Sequence, residues 1–133
     1  MMKNNILEKI GQELSGLEVD LGYVFGSFLK SDEFEDVDIA VLTAKKPTPY
    51  EGFKLSMQIA RKLEREIMPR LEFDVKILNL CPLNFQYNVT STGRLVFCRD
   101  ECLRIRYEES VVGEFLDYAP TSQWLDERFL AEV

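Results

Sequence analysis

The segment Val24–Leu42, VFGSFLKSDEFEDVDIAVL, decides how the rest of this chain is read. It opens on the end of Val19–Phe25, a stretch rich in β-branched and aromatic residues that predicts a strand. Gly26-Ser27 breaks that strand at a tight turn, where glycine tolerates positive φ and lets backbone pass close to a ligand. Ser27 offers a hydroxyl and an N–H to phosphate oxygens, and a short helix starting there would add its N-terminal amides. Eight residues later, Asp36–Leu42 (DVDIAVL) alternates acid with apolar and then turns wholly apolar, the pattern of a second strand. On a strand, Asp36 and Asp38 share a face about 6.5–7 Å apart, while Val37 and Ile39 face the core. Two acids on one face repel each other. The natural compensation for hard oxygen ligands is Mg2+ or Mn2+.

A third acid lies further on. Asp74 sits in Leu71-Glu72-Phe73-Asp74-Val75-Lys76-Ile77, inside a third predicted strand, Glu72–Leu80. If that strand lies beside the first, three carboxylates converge. Three carboxylates can hold two metal ions of the kind that stabilise entering and leaving oxygens in phosphoryl chemistry. Gly-Ser alone carries no signal, and acids often line the solvated face of an edge strand. The signal is the joint occurrence of Gly26, Ser27, Asp36, Asp38 and Asp74, in this order and in these strand contexts. Lys76 shares the Asp74 face by the period of two, where it either pairs with a carboxylate or touches phosphate. Asp32, Glu33 and Glu35 read as solvated loop acids.

Around this centre the periodicities predict a helix over 4–15, with Ile6, Leu7, Ile10 and Leu14 as one stripe and Gly16 as its C-cap. The clearest helix spans Tyr50–Met68, where Leu55, Ile59, Leu63 and Ile67 repeat every four residues. Residues 82–92 are ambiguous: Pro82 suits a helix start and Gly93 its end. Arg94–Cys98 reads as a short extended piece. Asp100–Tyr118 reads as a long helix stopped by Pro120, with a further helical tail around Trp124–Leu130. That long helix carries two apolar stripes. Leu103, Tyr107, Val111, Phe115 and Tyr118 form one, which packs on the domain. Ile105, Val112 and Leu116 form the other, which is either covered by the tail or part of a protein–protein interface. There is no repeat, low-complexity run or linker. The expected fold is a single α/β (α+β) domain over 1–133, with a small mixed sheet flanked by helices. Its core covers about 1–80, and a helical C-terminal region covers about 82–133.

Composition narrows the chemistry. A net charge of −7 with no long block of Lys and Arg argues against direct nucleic-acid binding. It fits a small-molecule enzyme, a metal user, or a partner of a basic protein. No stretch approaches the roughly 18 apolar residues of a membrane span, and no signal peptide is read at the N-terminus, so the cytoplasm is expected. The chain has no histidine. That excludes a Ser-His-Asp triad, a Cys-His pair and a His metal site, and leaves acid–base work to Asp, Glu, Lys, Tyr or Cys. Cys81, Cys98 and Cys102 form no CxxC, and read as small, buried, reduced thiols; Cys98 and Cys102 are four apart, as if on one helical face.

The pattern resembles the nucleotidyltransferase superfamily related to DNA polymerase β, whose signature is a hydrophobic strand, Gly-Ser, about ten residues, Asp-x-Asp, and a later Asp on another strand. The size resembles its minimal nucleotidyltransferase (MNT) branch. Gly93-Arg94-Leu95-Val96-Phe97, Asp100-Glu101, Arg104, Tyr107 and Phe115-Leu116-Asp117-Tyr118 resemble the C-terminal part of MNT antitoxins, which are encoded with HEPN-domain toxins. The resemblance implies Mg2+ (two ions) on Asp36, Asp38 and Asp74, and ATP as substrate. It implies Gly26 and Ser27 cradling the phosphates, and AMP transfer to a tyrosine of a HEPN ribonuclease in a hetero-oligomer. One departure stands out. The family places Arg and Gly shortly after Gly-Ser, whereas this chain has Phe28, Leu29 and Lys30 and a spacer about two residues short. Lys30 supplies a charge there, without the bidentate geometry of arginine. Two other functions stay open: an antitoxin or complex subunit that neutralises its partner by contact alone, and a small-molecule nucleotidyltransferase. The C-terminal third is short for the substrate domain that the last would need.

Overall fold

The apolar periodicities resolve into helices on both faces of one small sheet. The computed structural model describes residues 2–30, 36–68 and 70–131, with side chains from residue 3 to 117 within those ranges. The elements are α1 (Met2–Ser15), β1 (Leu21–Phe25), α2 (Ser27–Lys30), β2 (Asp36–Leu42), α3 (Pro49–Glu66), β3 (Glu72–Ile77), α4 (Leu83–Thr92), β4 (Arg94–Cys98) and α5 (Glu101–Ala131). The sheet order is β3-β2-β1-β4. β1 runs antiparallel to both β2 and β4, whereas β2 and β3 are parallel. A parallel pair needs a crossover, and α3 provides it.

The alternation of each strand sorts its side chains between two cores. Val24, Val37, Ile39, Val41, Phe73, Val75 and Ile77 face α1 and α3, and Phe28 of α2 joins them. Leu21, Tyr23 and Ala40 face the opposite way, onto Val89 of α4 and Leu103 and Tyr107 of α5. α3 is fixed at its start by a capping box: Thr48 Oγ1 accepts from the Glu51 N–H at 3.1 Å, and the Glu51 carboxylate accepts from the Thr48 N–H at 3.0 Å. Its inner face, Ile59 and Leu63, followed by Ile67, has no exposed surface. Each such side chain contributes about 1.5–3 kcal/mol relative to its exposed state.

The molecule's first helix and its last strand close on each other. Gly11 lies so near the Val96 carbonyl that a side-chain carbon there would collide with it. Arg99 donates from Nε to the Val19 carbonyl at 3.0 Å and from Nη2 to that of Leu17 at 2.8 Å.

Several expectations change. Strand β3 ends at Ile77, and Leu78–Leu80 form a 3₁₀ turn, because Leu78 must swing to the second core. Residues 82–92 resolve as a helix with Pro82 at its N-cap and Gly93 at its C-cap. The extended piece 94–98 is a strand of the sheet. α5 does not stop at Pro120 but runs on to Ala131, taking in the tail around Trp124–Leu130. Proline removes one N–H donor from a helix interior, a cost of about 3 kcal/mol; here the remaining ladder carries the helix past it. The thiols are not buried: Cys81 and Cys98 are half-buried and Cys102 is exposed. Cys98 and Cys102 do not share a helix, since the first ends β4 and the second opens α5. Asp32, Glu33 and Glu35 lie outside the described residues, as does the Tyr118 side chain. Among the described residues, no helix is long and apolar enough to cross a membrane.

Gly11 and Gly113 give opposite expectations for one substitution. Alanine in a helix interior normally gains up to about 1 kcal/mol over glycine. Gly113→Ala, with nothing within 4 Å of the added carbon, follows that rule. Gly11→Ala meets backbone and loses about 1–3 kcal/mol to overpacking. Urea midpoints moving the same way for both would refute this account of the α1–β4 contact.

Candidate active site

The acids of β2 and β3 are brought together by strand register. Asp38 pairs directly with Asp74, and Asp36 with Glu72, across the parallel β2–β3 ladder. Neighbouring strands lie about 4.8 Å apart, so the Asp38 and Asp74 backbones are one strand spacing from each other. Asp38 also faces Phe25, the last residue of β1, so Gly26 follows immediately beside it. All three aspartates share the parity of Ala40, and therefore the α4–α5 face of the sheet.

Asp38 is partly buried, whereas Asp36 is exposed and the Asp74 side chain keeps 59% of its surface. The Asp38 carboxyl is held above the usual carboxylate range. Burial is the main cause, the charges of Asp74 and then Asp36 add to it, and Lys76 opposes. Lys76 pairs with Asp74, Nζ to Oδ1 at 3.6 Å. An exposed pair of this kind contributes at most about 1 kcal/mol.

Gly26 is required twice. Its φ is +80°, the only positive φ among the described residues, and a side-chain carbon there would stand 2.6 Å from Asp38 Oδ2. Ser27 follows at the start of α2 with its side chain exposed. Phe28 is only 1% exposed and Leu29 packs against the same core. That explains the residues standing after Gly-Ser: Phe28 and Leu29 anchor the turn from below, and Lys30 is the one charge that α2 presents to solvent.

The second wall is positioned from the opposite end of the chain. Phe85 of α4 meets Phe25 edge-on, with centroids 5.4 Å apart. The buried Tyr23 hydroxyl donates to Glu108 Oε1 at 2.8 Å, and Arg104 bridges Glu108 and Glu101. The Tyr23 phenol is pushed well above its ordinary range by burial first and by Glu108 second, so it stays a donor. Tyr107 donates to Gln86 at 2.8 Å, and Tyr87 stacks on Phe115 at 3.8 Å. On the other side, Asp36 opens onto a cleft of about 1060 Å³ shared with Arg61, Glu64, Arg65, Arg70 and Glu72. Nothing in the sequence marks these arginines, because Arg61 and Arg65 lie off the apolar stripe of α3 and Arg70 lies beyond its end.

Among the described residues, no group of three or more His, Cys, Asp or Glu side chains is gathered tightly enough to hold a metal ion. The donor chemistry nevertheless fits a hard divalent cation. At Asp38, burial first and then the charges of Asp74 and Asp36 disfavour the ionised carboxyl, and Lys76 is the one cation that offsets this.

Residues 8–102 match the family model for polymerase beta nucleotidyltransferases. The chain belongs to this nucleotidyltransferase family. The matched region contains Gly26, Ser27 and all three aspartates, and it ends as α5 begins. No curated protein matches the chain. Among solved structures, it is similar to a chain from the complex of an MNT antitoxin with a tri-AMPylated HEPN toxin of Shewanella oneidensis. The TM-score is 0.68 at 18% identity, covering 96% of this chain and 98% of that one. A toxin–antitoxin structure with AMP-PNP gives a TM-score of 0.68 at 18% identity, covering 93% and 98%. The MntA–HepT toxin–antitoxin structure gives 0.66 at 17%, covering 96% and 98%. At these identities the likeness establishes the fold: a nucleotidyltransferase core carrying a long C-terminal helix.

Gly26→Ala should lower stability by about 1–2 kcal/mol, the cost of left-handed backbone for a residue with a side chain. It should also displace the Asp38 carboxylate. A denaturant midpoint equal to that of the wild type would show that the turn can be made another way.

Proposed function

We propose that this chain, as a single nucleotidyltransferase domain over 1–133, is a Mg2+-dependent enzyme of the cytoplasm. In this reading it transfers AMP from ATP to a hydroxyl of a HEPN-domain partner, a tyrosine on a ribonuclease toxin, and thereby acts as antitoxin. The observation that carries this is the register pair Asp38–Asp74 with Gly26 seated against the Asp38 carboxylate. Family membership and the likeness to MNT antitoxins found with HEPN toxins support it.

The roles follow from position. Asp36, Asp38 and Asp74 would hold the metal ions, two by the chemistry of the family. Bound there, Mg2+ supplies positive charge to the phosphate oxygens and offsets the mutual repulsion of the acids. Gly26 and Ser27 present backbone N–H groups and a hydroxyl to the β- and γ-phosphates, with Lys30 as the nearby cation. Asp74, on the edge strand and the more exposed of the register pair, takes the proton of the acceptor hydroxyl. The acceptor oxygen forms a bond to the α-phosphorus, the bond from that phosphorus to the bridging oxygen breaks, and pyrophosphate leaves with the electron pair. Lys76 holds Asp74 in place before the acceptor arrives.

The second stripe of α5 supplies a partner surface. Ile105, Val112 and Leu116 are 44%, 39% and 54% exposed. A helix that continues to Ala131 cannot fold back over its own face, so the covering tail considered from sequence is not formed. An exposed apolar row on a helix otherwise packed on its domain fits a protein interface.

Transfer is tested with α-labelled ATP, Mg2+ and the HEPN partner. The wild type labels the partner, and Asp38→Asn or Asp74→Ala lowers this at least about a thousandfold while the fold persists. Near-normal labelling by either variant removes the metal assignment. Tight complex formation with no labelling by the wild type favours neutralisation by contact alone, the reading motivated by the lysine standing where the family has arginine. Separately, Val112→Asp with Leu116→Asp should weaken partner binding on a gel-filtration column at least about tenfold, leaving ATP binding unchanged. An undiminished complex places the interface elsewhere.

A further inference from the structure

We propose that Lys76 is the resident counter-ion of the metal site: it occupies Asp74 until a metal ion arrives on the triphosphate, and it disfavours loading by the bare ion. This rests on the metal-binding reading of Asp36, Asp38 and Asp74 above and adds the form in which the metal reaches them.

The parallel ladder lays out the charges. On the α4–α5 face, β2 presents Asp36, Asp38 and Ala40, and β3 sets Glu72, Asp74 and Lys76 directly opposite them. That is four carboxylates, one ammonium and one methyl group. Arg61, Arg65 and Arg70 share their cleft with Asp36 and Glu72, and neither Asp38 nor Asp74 lines it. At the inner pair the cation is Lys76. Its Nζ stands 3.6 Å from Asp74 Oδ1, and its charge reaches Asp38 too, where it opposes the repulsion of the neighbouring acids.

Exposure keeps the pair exchangeable. The side chains of Lys76 and Asp74 keep 50% and 59% of their surface. An ion pair in such a setting contributes little net stability and opens readily. Lysine carries its charge on a flexible four-carbon stem, without the fixed fork of arginine. The ammonium can therefore leave Asp74 and stay beside the site.

Two ligands meet this lysine differently. A bare divalent ion must displace the ammonium from Asp74 and is then left next to it, two like charges in one small site. A divalent ion bound to a triphosphate carries net negative charge. It displaces the ammonium in the same way, but its phosphate oxygens give the ammonium a new partner. The same residue thus opposes the bare ion and favours the metal–nucleotide complex.

The test uses the full chain and measures two affinities by isothermal titration calorimetry, for Mn2+ alone and for the equimolar complex of Mn2+ with AMP-PNP. Lys76→Gln should bind Mn2+ at least about threefold more tightly than the wild type, and the complex at least about threefold more weakly. The opposite directions are the signature. Lys76→Arg keeps the charge and should not tighten Mn2+. Lys54→Gln removes the charge of an exposed lysine on α3, across the sheet from the acids, and should match the wild type in both affinities. Asp38→Asn should abolish the Mn2+ site. Mn2+ binding that is saturable and lost in Asp38→Asn, yet equal in Lys76→Gln, overturns the proposal and leaves the metal site standing. Shifts of both affinities in one direction also overturn it: weakening of both makes Lys76 a strut for Asp74, and tightening of both makes it a contributor to net charge only. So does a change in one affinity alone, which for the complex makes Lys76 a phosphate contact and for Mn2+ leaves the nucleotide no part in loading. No saturable Mn2+ binding by the wild type or Lys76→Gln removes the metal assignment and the proposal with it.

Discussion

The candidate site depends on the parallel pairing of β2 with β3. A one-residue slip would turn Asp74 into the core and bring Phe73 or Val75 to the surface. The slip is prevented from the other side of the sheet. Phe73, Val75 and Ile77 on β3, and Val37, Ile39 and Val41 on β2, are buried against α1 and α3. Hydrophobic burial thus sets the register, and the register sets the distance between two like charges. The acids do not hold the strands together; the strands hold the acids in place against their repulsion. α3 is the means, since it is both the crossover that makes the pair parallel and the helix that covers it.

The same logic extends to the turn after β1. Asp38 is crowded by Asp36, Asp74 and burial, and the only residue that fits over its carboxylate is one without a side chain. Gly26 meets that need and the need for positive φ together. Phe28 then roots the short helix that follows. A turn that exposes Ser27 to a ligand is held by one aromatic ring below it and one, Phe85, above its strand.

Wherever one element carried its own pattern, the fold could be read from sequence. β2 came out with its ends, Asp36 and Leu42, because alternation and burial agree there. α3 came out to within two residues, because its stripe repeats every four. The shared face of Asp36 and Asp38 was legible from the period of two; that Asp74 joins them followed only on the condition that its strand lies beside theirs, which the β2–β3 register supplies. Features made by two distant segments were not. Tyr23 and Glu108 are 85 residues apart, and neither announces the other. Arg70 has no periodic context, so its place beside Asp36 appears only once β3 is set beside β2. The thiols were misjudged because cysteine's usual burial says nothing of a strand end or a first helical turn. Pro120 reads locally as a stop because one lost donor is weighed without the turns on either side, and α5 runs through it.

The contact between Gly11 and Val96, with Arg99 reaching back to the carbonyls of Leu17 and Val19, has a consequence for the order of assembly. The outer edge of the sheet is sealed by the first helix against a strand more than eighty residues later. Loop closure over such a distance is slow. While the chain is being made, β1, β2 and β3 can pair as soon as α3 has emerged, but the β1 edge stays open until the chain reaches residue 99. Synthesis is therefore the period in which the β1 edge is available for mispairing. The last strand covers the β1 edge and completes the sheet, with α5 and its exposed apolar stripe following directly behind.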